Sequence, residues 1–138
     1  LRDISAVPGL DVQLFFERVV LDYLIGNGDG HSKNYAILSR HDAIRLAPAY
    51  DLVSTKLVIP NDSDVALTLR GKHSNIDRDD VDALADEFEI PRKVRFARFE
   101  HALSRIDRVV GSSALPDAAK AALITLIRSR YQRLRLAP

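Results

Sequence analysis

Asp29, His31 and Asn34 stand in the run Gly28-Asp29-Gly30-His31-Ser32-Lys33-Asn34, and Asp51 follows 17 residues later within Leu46-Ala47-Pro48-Ala49-Tyr50-Asp51-Leu52. A carboxylate, an amide oxygen and a second carboxylate in that order suit transfer of a phosphoryl group. Such a transfer asks little covalent help of a protein. It asks for an aligned hydroxyl and for cations that neutralise charge. A carboxylate within hydrogen-bond reach of the incoming hydroxyl can orient or deprotonate it, and Asp29 is the candidate. Five residues on, Asn34 can turn back through a short loop and offer its amide oxygen to magnesium, which takes one or two protein oxygens and completes its shell with water and phosphate. Asp51 is the second, charged ligand.

Each residue also has a plainer reading. Gly-Asp-Gly is ordinary turn composition, so Asp29 alone signals only a turn; its company with His31, Asn34 and Asp51 is what favours chemistry. His31 fits a phosphate contact or a loop-holding bond to a backbone carbonyl equally well. Lys33 suits a nucleotide phosphate or a solvated loop cation. Tyr50 is expected in core packing, with a place beside a nucleotide as the alternative. A calcium loop is excluded, because it needs Gly at its sixth position and Glu at its twelfth. Counted from Asn27 those positions hold Ser32 and Leu38, and from Asp29 they hold Asn34 and Arg40. His41, His73 and His101 are isolated in sequence and receive no role.

Protein kinases use the same Asp-to-Asn spacing in His-Arg-Asp-x-x-x-x-Asn, with a metal-binding Asp later in the chain. More specifically, Leu24-Ile25-Gly26-Asn27-Gly28-Asp29-Gly30-His31-Ser32-Lys33-Asn34, the Tyr50-Asp51 pair and Ala66-Leu67-Thr68-Leu69-Arg70-Gly71-Lys72 resemble the HipA family, the serine/threonine kinase toxins of bacterial toxin–antitoxin systems. The likeness runs over roughly residues 12–90. It implies a mostly α fold with a few short β-strands, the large (C-terminal) lobe of a protein-kinase-like fold. By the same resemblance Asp29 is the catalytic base, and His31, Ser32, Lys33, Asn34, Tyr50 and Asp51 contact the nucleotide, with Asn34 and Asp51 on the metal. The implied cofactors are Mg2+ and ATP as co-substrate. The implied partners are a protein substrate presenting a Ser/Thr hydroxyl, a HipB-like DNA-binding antitoxin and, through it, operator DNA.

A kinase also needs a small lobe, with a Gly-rich loop over the phosphates and a strand Lys on the α- and β-phosphates. Only 28 residues precede Asp29, most of them in one helical pattern, and no Val-Ala-x-Lys run occurs. Gly26, Gly28 and Gly30 alternate, but after a helix, the wrong setting for a dinucleotide or P-loop fingerprint. The chain, which opens on Leu, is therefore expected to be a single lobe over residues 1–138 of a longer protein, without its N-terminal lobe and inactive alone. Three other readings stay open at this point: an inactive or regulatory kinase-fold module, a metal-dependent phosphohydrolase built on Asp29, His31 and Asp51, and a helical nucleic-acid-binding module.

Composition sets outer limits. At 138 residues and 46% hydrophobic content the chain suits one domain with a real core. The absence of cysteine excludes a disulfide framework and thiolate metal sites, and suits a cytoplasmic setting. Net charge is +1, yet residues 1–90 hold 9 Lys/Arg against 16 Asp/Glu and residues 91–138 hold 11 against 3. So uneven a split means either that the halves attract each other or that the basic half meets an acidic partner. Arg92, Lys93, Arg95 and Arg98 cluster near the expected start of a helix; they are read as a solvated face, with phosphate-backbone contact to nucleic acid as the alternative.

The elements that must position these residues follow from periodicity. Residues 12–26 form an amphipathic helix with Val12, Phe15, Phe16, Val19, Tyr23 and Leu24 on one face and Gln13, Glu17, Arg18 and Asp22 opposite. The glycines around Asn27 end it, so Asp29 is presented from a loop anchored by a packed helix. Tyr35–Leu38 and Ile44–Leu46 predict a small hairpin whose closure returns Asp51 toward Asn34. Residues 53–64 read as an irregular loop and Val65–Leu69 as a short strand before Gly71. Asp77 is an N-cap with Asp80 as capping-box partner, starting a helix with Val81, Leu84, Ala85 and Phe88 on one stripe. Pro91 stops it and opens another, with Phe96, Phe99, Leu103, Ile106 and Val110 on its face and Gly111 at its end. Pro116 opens the last helix, striped by Leu123, Ile127, Tyr131 and Leu134.

Overall fold

A computed structural model describes residues 1–40 and 42–136 of the chain; His41 lies outside the described residues. The first helix, α1 (Pro8–Ile25), begins four residues earlier than the apolar pattern, because Pro8 supplies a preset first turn. Gly26 ends it in the left-handed region at φ 79°, where a side chain would be strained. Beyond it the chain makes a 3₁₀ turn over Ser32–Asn34 and then the hairpin β1 (Ile37–Arg40) and β2 (Ala43–Leu46). The strands pair antiparallel in the register Ile37 to Leu46 and Arg40 to Ala43. Three further helices follow: α2 (Arg78–Glu87), α3 (Leu103–Gly111) and α4 (Asp117–Arg133). The lobe is mostly helical with one small sheet, as expected, and no helix among the described residues is long and apolar enough to cross a membrane.

The core lies between α1 and α4. Phe16, Tyr23 and Leu24 from α1 meet Ile127 and Tyr131 from α4 and Leu134 just past its end, with Val81 and Ala85 of α2 and Ile76 closing one side. Each such large apolar side chain stabilises the fold by about 1.5–3 kcal/mol on leaving water. A guanidinium completes the centre: Arg130 stacks over the Tyr23 ring at 4.6 Å, bonds the Tyr23 carbonyl and pairs with Asp64 at 2.6 Å. Arg130 is only 4% exposed and Asp64 8%. Together with Arg95 on Asp82 and Asp86 and Arg98 on Glu17, this pair shows where the charge split goes. The basic C-terminal half attracts the acidic N-terminal half within one molecule.

Four expectations are corrected. Asp22 is buried rather than solvated; three residues after Val19 and seven after Phe15, it shares their face. Val65–Leu69 forms no strand. Arg70 at φ 50° and Gly71 at φ 76° make a two-residue turn, and only Leu69 and Lys72 bridge across it. The helix expected after Pro91 is delayed to Leu103. Residues 91–102 instead descend by short bonds from Val94 N–H to the Pro91 carbonyl, Phe99 N–H to Phe96, and Ala102 N–H to Phe99, a path that still buries Phe96 and Phe99. Finally, Arg95 is not on a basic surface at all. At 5% exposure its Nε donates to the Ile90 carbonyl at 2.9 Å and its Nη1 to Asp82 Oδ1 at 3.0 Å, so it staples the segment to α2. It is withdrawn from any nucleic-acid face, whereas Arg92, Lys93 and Arg98 remain exposed.

The N-cap of α2 is as expected. Asp77 accepts from the Asp79 and Asp80 N–H groups, and Asp80 Oδ2 accepts in return from Asp77 N–H at 3.2 Å. The hairpin is locked to α1 by a fully buried carboxylate, Asp11. It takes Arg45 Nη2 at 2.9 Å, Leu46 N–H at 2.9 Å and Ser5 Oγ at 2.6 Å. The Arg45 guanidinium, with the Ser5 and Leu46 bonds, outweighs burial and holds the Asp11 carboxyl down at about 2.

Candidate functional site

The site sits where α1 ends and where the hairpin returns. After Gly26 the chain runs through Asn27, Gly28, Asp29 and Gly30 into the Ser32–Asn34 turn. His31 N–H donates to the Asp29 carbonyl at 2.7 Å and to Asn34 Oδ1 at 3.0 Å, so the loop is closed by its own backbone. The hairpin then reverses the chain and Asp51 comes back to it. Asn34 Nδ2 donates to Asp51 Oδ2 at 2.7 Å. The expected approach of residues 34 and 51, across 17 positions of sequence, is present.

Asn34 is fixed in one amide orientation by two different neighbours. Its oxygen must face the His31 N–H and its NH2 must face the Asp51 carboxylate. Asp51 itself is exposed and takes a left-handed backbone at φ 56°, a conformation Asp tolerates better than most residues. The pair suits a hard cation by its remaining lone pairs. The Asn34 oxygen has one left after His31, and Asp51 Oδ1 is outside the bond to Asn34. The donor set thus fits magnesium in kind, two protein oxygens, one on exposed Asp51 and one on buried Asn34.

Asp29 is exposed, and among the described residues its carboxylate takes no ion pair. Its backbone is held on both sides, by Asn27 Oδ1 on the N–H at 3.2 Å and by His31 on the carbonyl. His31, Ser32 and Lys33 are exposed along the turn. The Lys33 carbonyl accepts from Tyr50 Oη at 2.6 Å. Tyr50 is 44% exposed, which overturns its expected place in the core; the ring instead braces the turn carrying Lys33 and Asn34.

Three groups escaped the sequence reading. Asp22, near the C-terminus of α1, accepts from Asn27 Nδ2 at 2.8 Å and from Tyr35 Oη at 2.8 Å. Burial pushes its carboxyl above the ordinary range. Arg18, on the same helix, donates to the Ala47 carbonyl and, with Asp22, Asn27 and Asn34, lines a small cavity beneath the loop. Thr55 Oγ1 accepts from Gly28 N–H at 2.9 Å and bonds Asp62, pressing the loop after Asp51 against the loop before Asp29. The helical spacing of Asp22 could have revealed the first. The others depend on contacts between loops, for which no period exists.

A model of the HipA-like C-terminal domain family matches residues 1–114. Among curated proteins, "Putative kinase Y4dM" of Sinorhizobium fredii is 33% identical over 117 residues, covering 81% of this chain and 29% of the relative. "Putative kinase Y4mE" of the same organism is 40% identical over 55 residues, covering 40% of this chain and 13% of the relative. The chain therefore spans less than a third of the length of either. A solved structure of the Shewanella oneidensis MR-1 toxin–antitoxin system, HipA and HipB with operator DNA, superposes with a TM-score of 0.72 at 20% identity, over 90% of this chain and 32% of that one. At that identity the likeness is one of fold.

Proposed function

Since this chain belongs to the HipA-like C-terminal domain family, we propose that it is the large lobe of an ATP-dependent serine/threonine protein kinase of toxin–antitoxin type. The observation that carries the reading is the meeting of Asn34 and Asp51 at 2.7 Å beside an exposed Asp29 on a braced loop. Asp29 receives the protein Ser/Thr hydroxyl and holds or accepts its proton. Asn34 is held against Asp51 through its NH2 group, and Asn34 Oδ1 and Asp51 Oδ1 are the oxygens that would hold the metal. Magnesium, when bound there, neutralises charge on the phosphates of ATP. His31, Ser32 and Lys33 lie along the same exposed turn, where N–H groups and the ammonium can meet nucleotide phosphate; Tyr50 supports them through the Lys33 carbonyl.

The rest of the nucleotide site belongs to a small N-terminal lobe of the parent protein, so transfer is assigned to that parent and not to this chain alone. In such an assembly an antitoxin of HipB type carries the operator contacts, with the exposed Arg92 and Lys93 placed to add sequence-independent phosphate contacts and Arg98 already paired with Glu17. The intact parent with Asp29→Ala should lose transfer from radiolabelled ATP by about 100- to 10,000-fold, the usual weight of a positioned base, while retaining ATP binding. Asp51→Ala should weaken the magnesium–nucleotide titration. Unchanged transfer in the first, or an unaltered titration in the second, rejects the corresponding role.

A further inference from the structure

One buried amide touches both halves of the site. Asn27 is 1% exposed and its bonding capacity is engaged in three directions. Its Nδ2 donates to Asp22 Oδ1 at 2.8 Å and to the Asp51 carbonyl at 3.3 Å. Its Oδ1 accepts from Asp29 N–H at 3.2 Å. Its own N–H donates to the Asp22 carbonyl at 2.8 Å. The side chain therefore reaches from the end of α1 to the loop bearing Asp29 and, across 24 residues of sequence, to the segment bearing Asp51.

We infer that Asn27 is a positioning residue that sets the spacing between the base Asp29 and the metal-side residue Asp51. The inference rests on the functional reading above for the roles of those two residues, but the bridge itself is independent of it. Asn34 fixes the metal side internally by its own bond to Asp51. Only Asn27 bonds the backbones of residues 29 and 51 together among the described residues. An amide is the group this needs, since one end must donate twice and the other accept. Asp22 anchors the device: its second oxygen is held by Tyr35, and a Cβ at residue 30 would stand 2.8 Å from that oxygen, so Gly30 is what lets the loop close over the carboxylate. Misplacing a base by about 1 Å can cost about 100-fold in rate even where binding is kept.

The test uses the intact parent protein in three forms: wild type, Asn27→Ala, and Asp22→Asn combined with Asn27→Asp. The double change reverses the polarity of the bond between positions 22 and 27 and keeps an acceptor for Asp29 N–H, but it removes the donor to the Asp51 carbonyl. In Asn27→Ala the Asp29 amide should exchange its hydrogen at least about tenfold faster. Its kcat for transfer should fall about 10- to 100-fold, with KM for magnesium–ATP within about threefold. The double variant should regain the urea midpoint of wild type yet keep the low kcat. Recovery of kcat together with stability would overturn the positioning role, leaving a purely structural one. An unchanged Asp29 amide in Asn27→Ala would overturn the bridge. Transfer that survives Asp29→Ala would instead defeat the functional reading, and the exchange measurement would then decide the bridge alone.

Discussion

Replacing Arg130 with Leu should be among the most damaging single changes in the lobe. The guanidinium bonds the Tyr23 carbonyl, stacks on the Tyr23 ring at 4.6 Å and pairs with Asp64 at 2.6 Å. Removing one member of a buried ion pair costs about 3–5 kcal/mol, because the other charge is stranded. Asp64 keeps some company, however: Asn75 N–H at 2.8 Å, Lys56 Nζ at 3.5 Å and Arg133 Nη1 at 3.9 Å. That company places the expected loss at the lower end, about 3 kcal/mol, or a fall in Tm of roughly 10 °C for a chain this long. Urea titration followed by far-ultraviolet circular dichroism measures it. Adding Asp64→Asn to Arg130→Leu should recover about 1–2 kcal/mol, since the buried carboxylate that lost its guanidinium is then neutral. A loss below about 1 kcal/mol for the single change, or simple addition of the two effects, would refute the stranded-charge account.

Two further outcomes are expected. Asp11 is held at about 2 against an ordinary 3.8, so its ionised form stabilises the fold above the ordinary value, and that contribution fades as pH falls from there toward about 2. The gap in urea midpoint between wild type and Asp11→Asn should therefore narrow over that acid range and stay constant above it; a gap that widened with acid would contradict the Arg45 bond. Gly28→Ala should cost about 1–3 kcal/mol by overpacking, because its Cβ would stand 2.2 Å from Asp62 Oδ2 and 2.7 Å from the Ser63 carbonyl. Gly9→Ala, with open space at its Cβ, is the matched control and should leave the midpoint unchanged or slightly raised.

The sequence was most legible where a short rule operates. The Asp77–Asp80 capping box, the stop at Gly26, the hairpin and the last helix all follow from local chemistry, and the loop that carries Asp29 and Asn34 was visible in residue types alone. The return of Asp51 to Asn34 was legible because a hairpin reverses direction whatever its details. Legibility failed where one spacing serves two conformations. Phe96, Phe99 and Leu103 sit three and four apart in a helix, yet a run of 3₁₀-like turns buries the same stripe once Arg95 is tied to Asp82 and Asp86. It failed again at Tyr50, whose size suggested the core but whose hydroxyl found the Lys33 carbonyl. The Asn27 bridge was out of reach for another reason. Its partners come from three stretches of chain, and only their packing brings them to one amide.

Helix α4 spans Asp117–Arg133, wholly past the last residue that the family match includes. Yet Ile127, Tyr131 and Leu134 fill the centre, and Arg130 grips the carbonyl three residues before Gly26. The recognisable segment and the cooperative unit thus have different borders. Trimming the polypeptide at residue 114 would keep every side chain assigned to chemistry and strip away the wall they lean on, giving an insoluble or unfolded product whose silence would say nothing about catalysis.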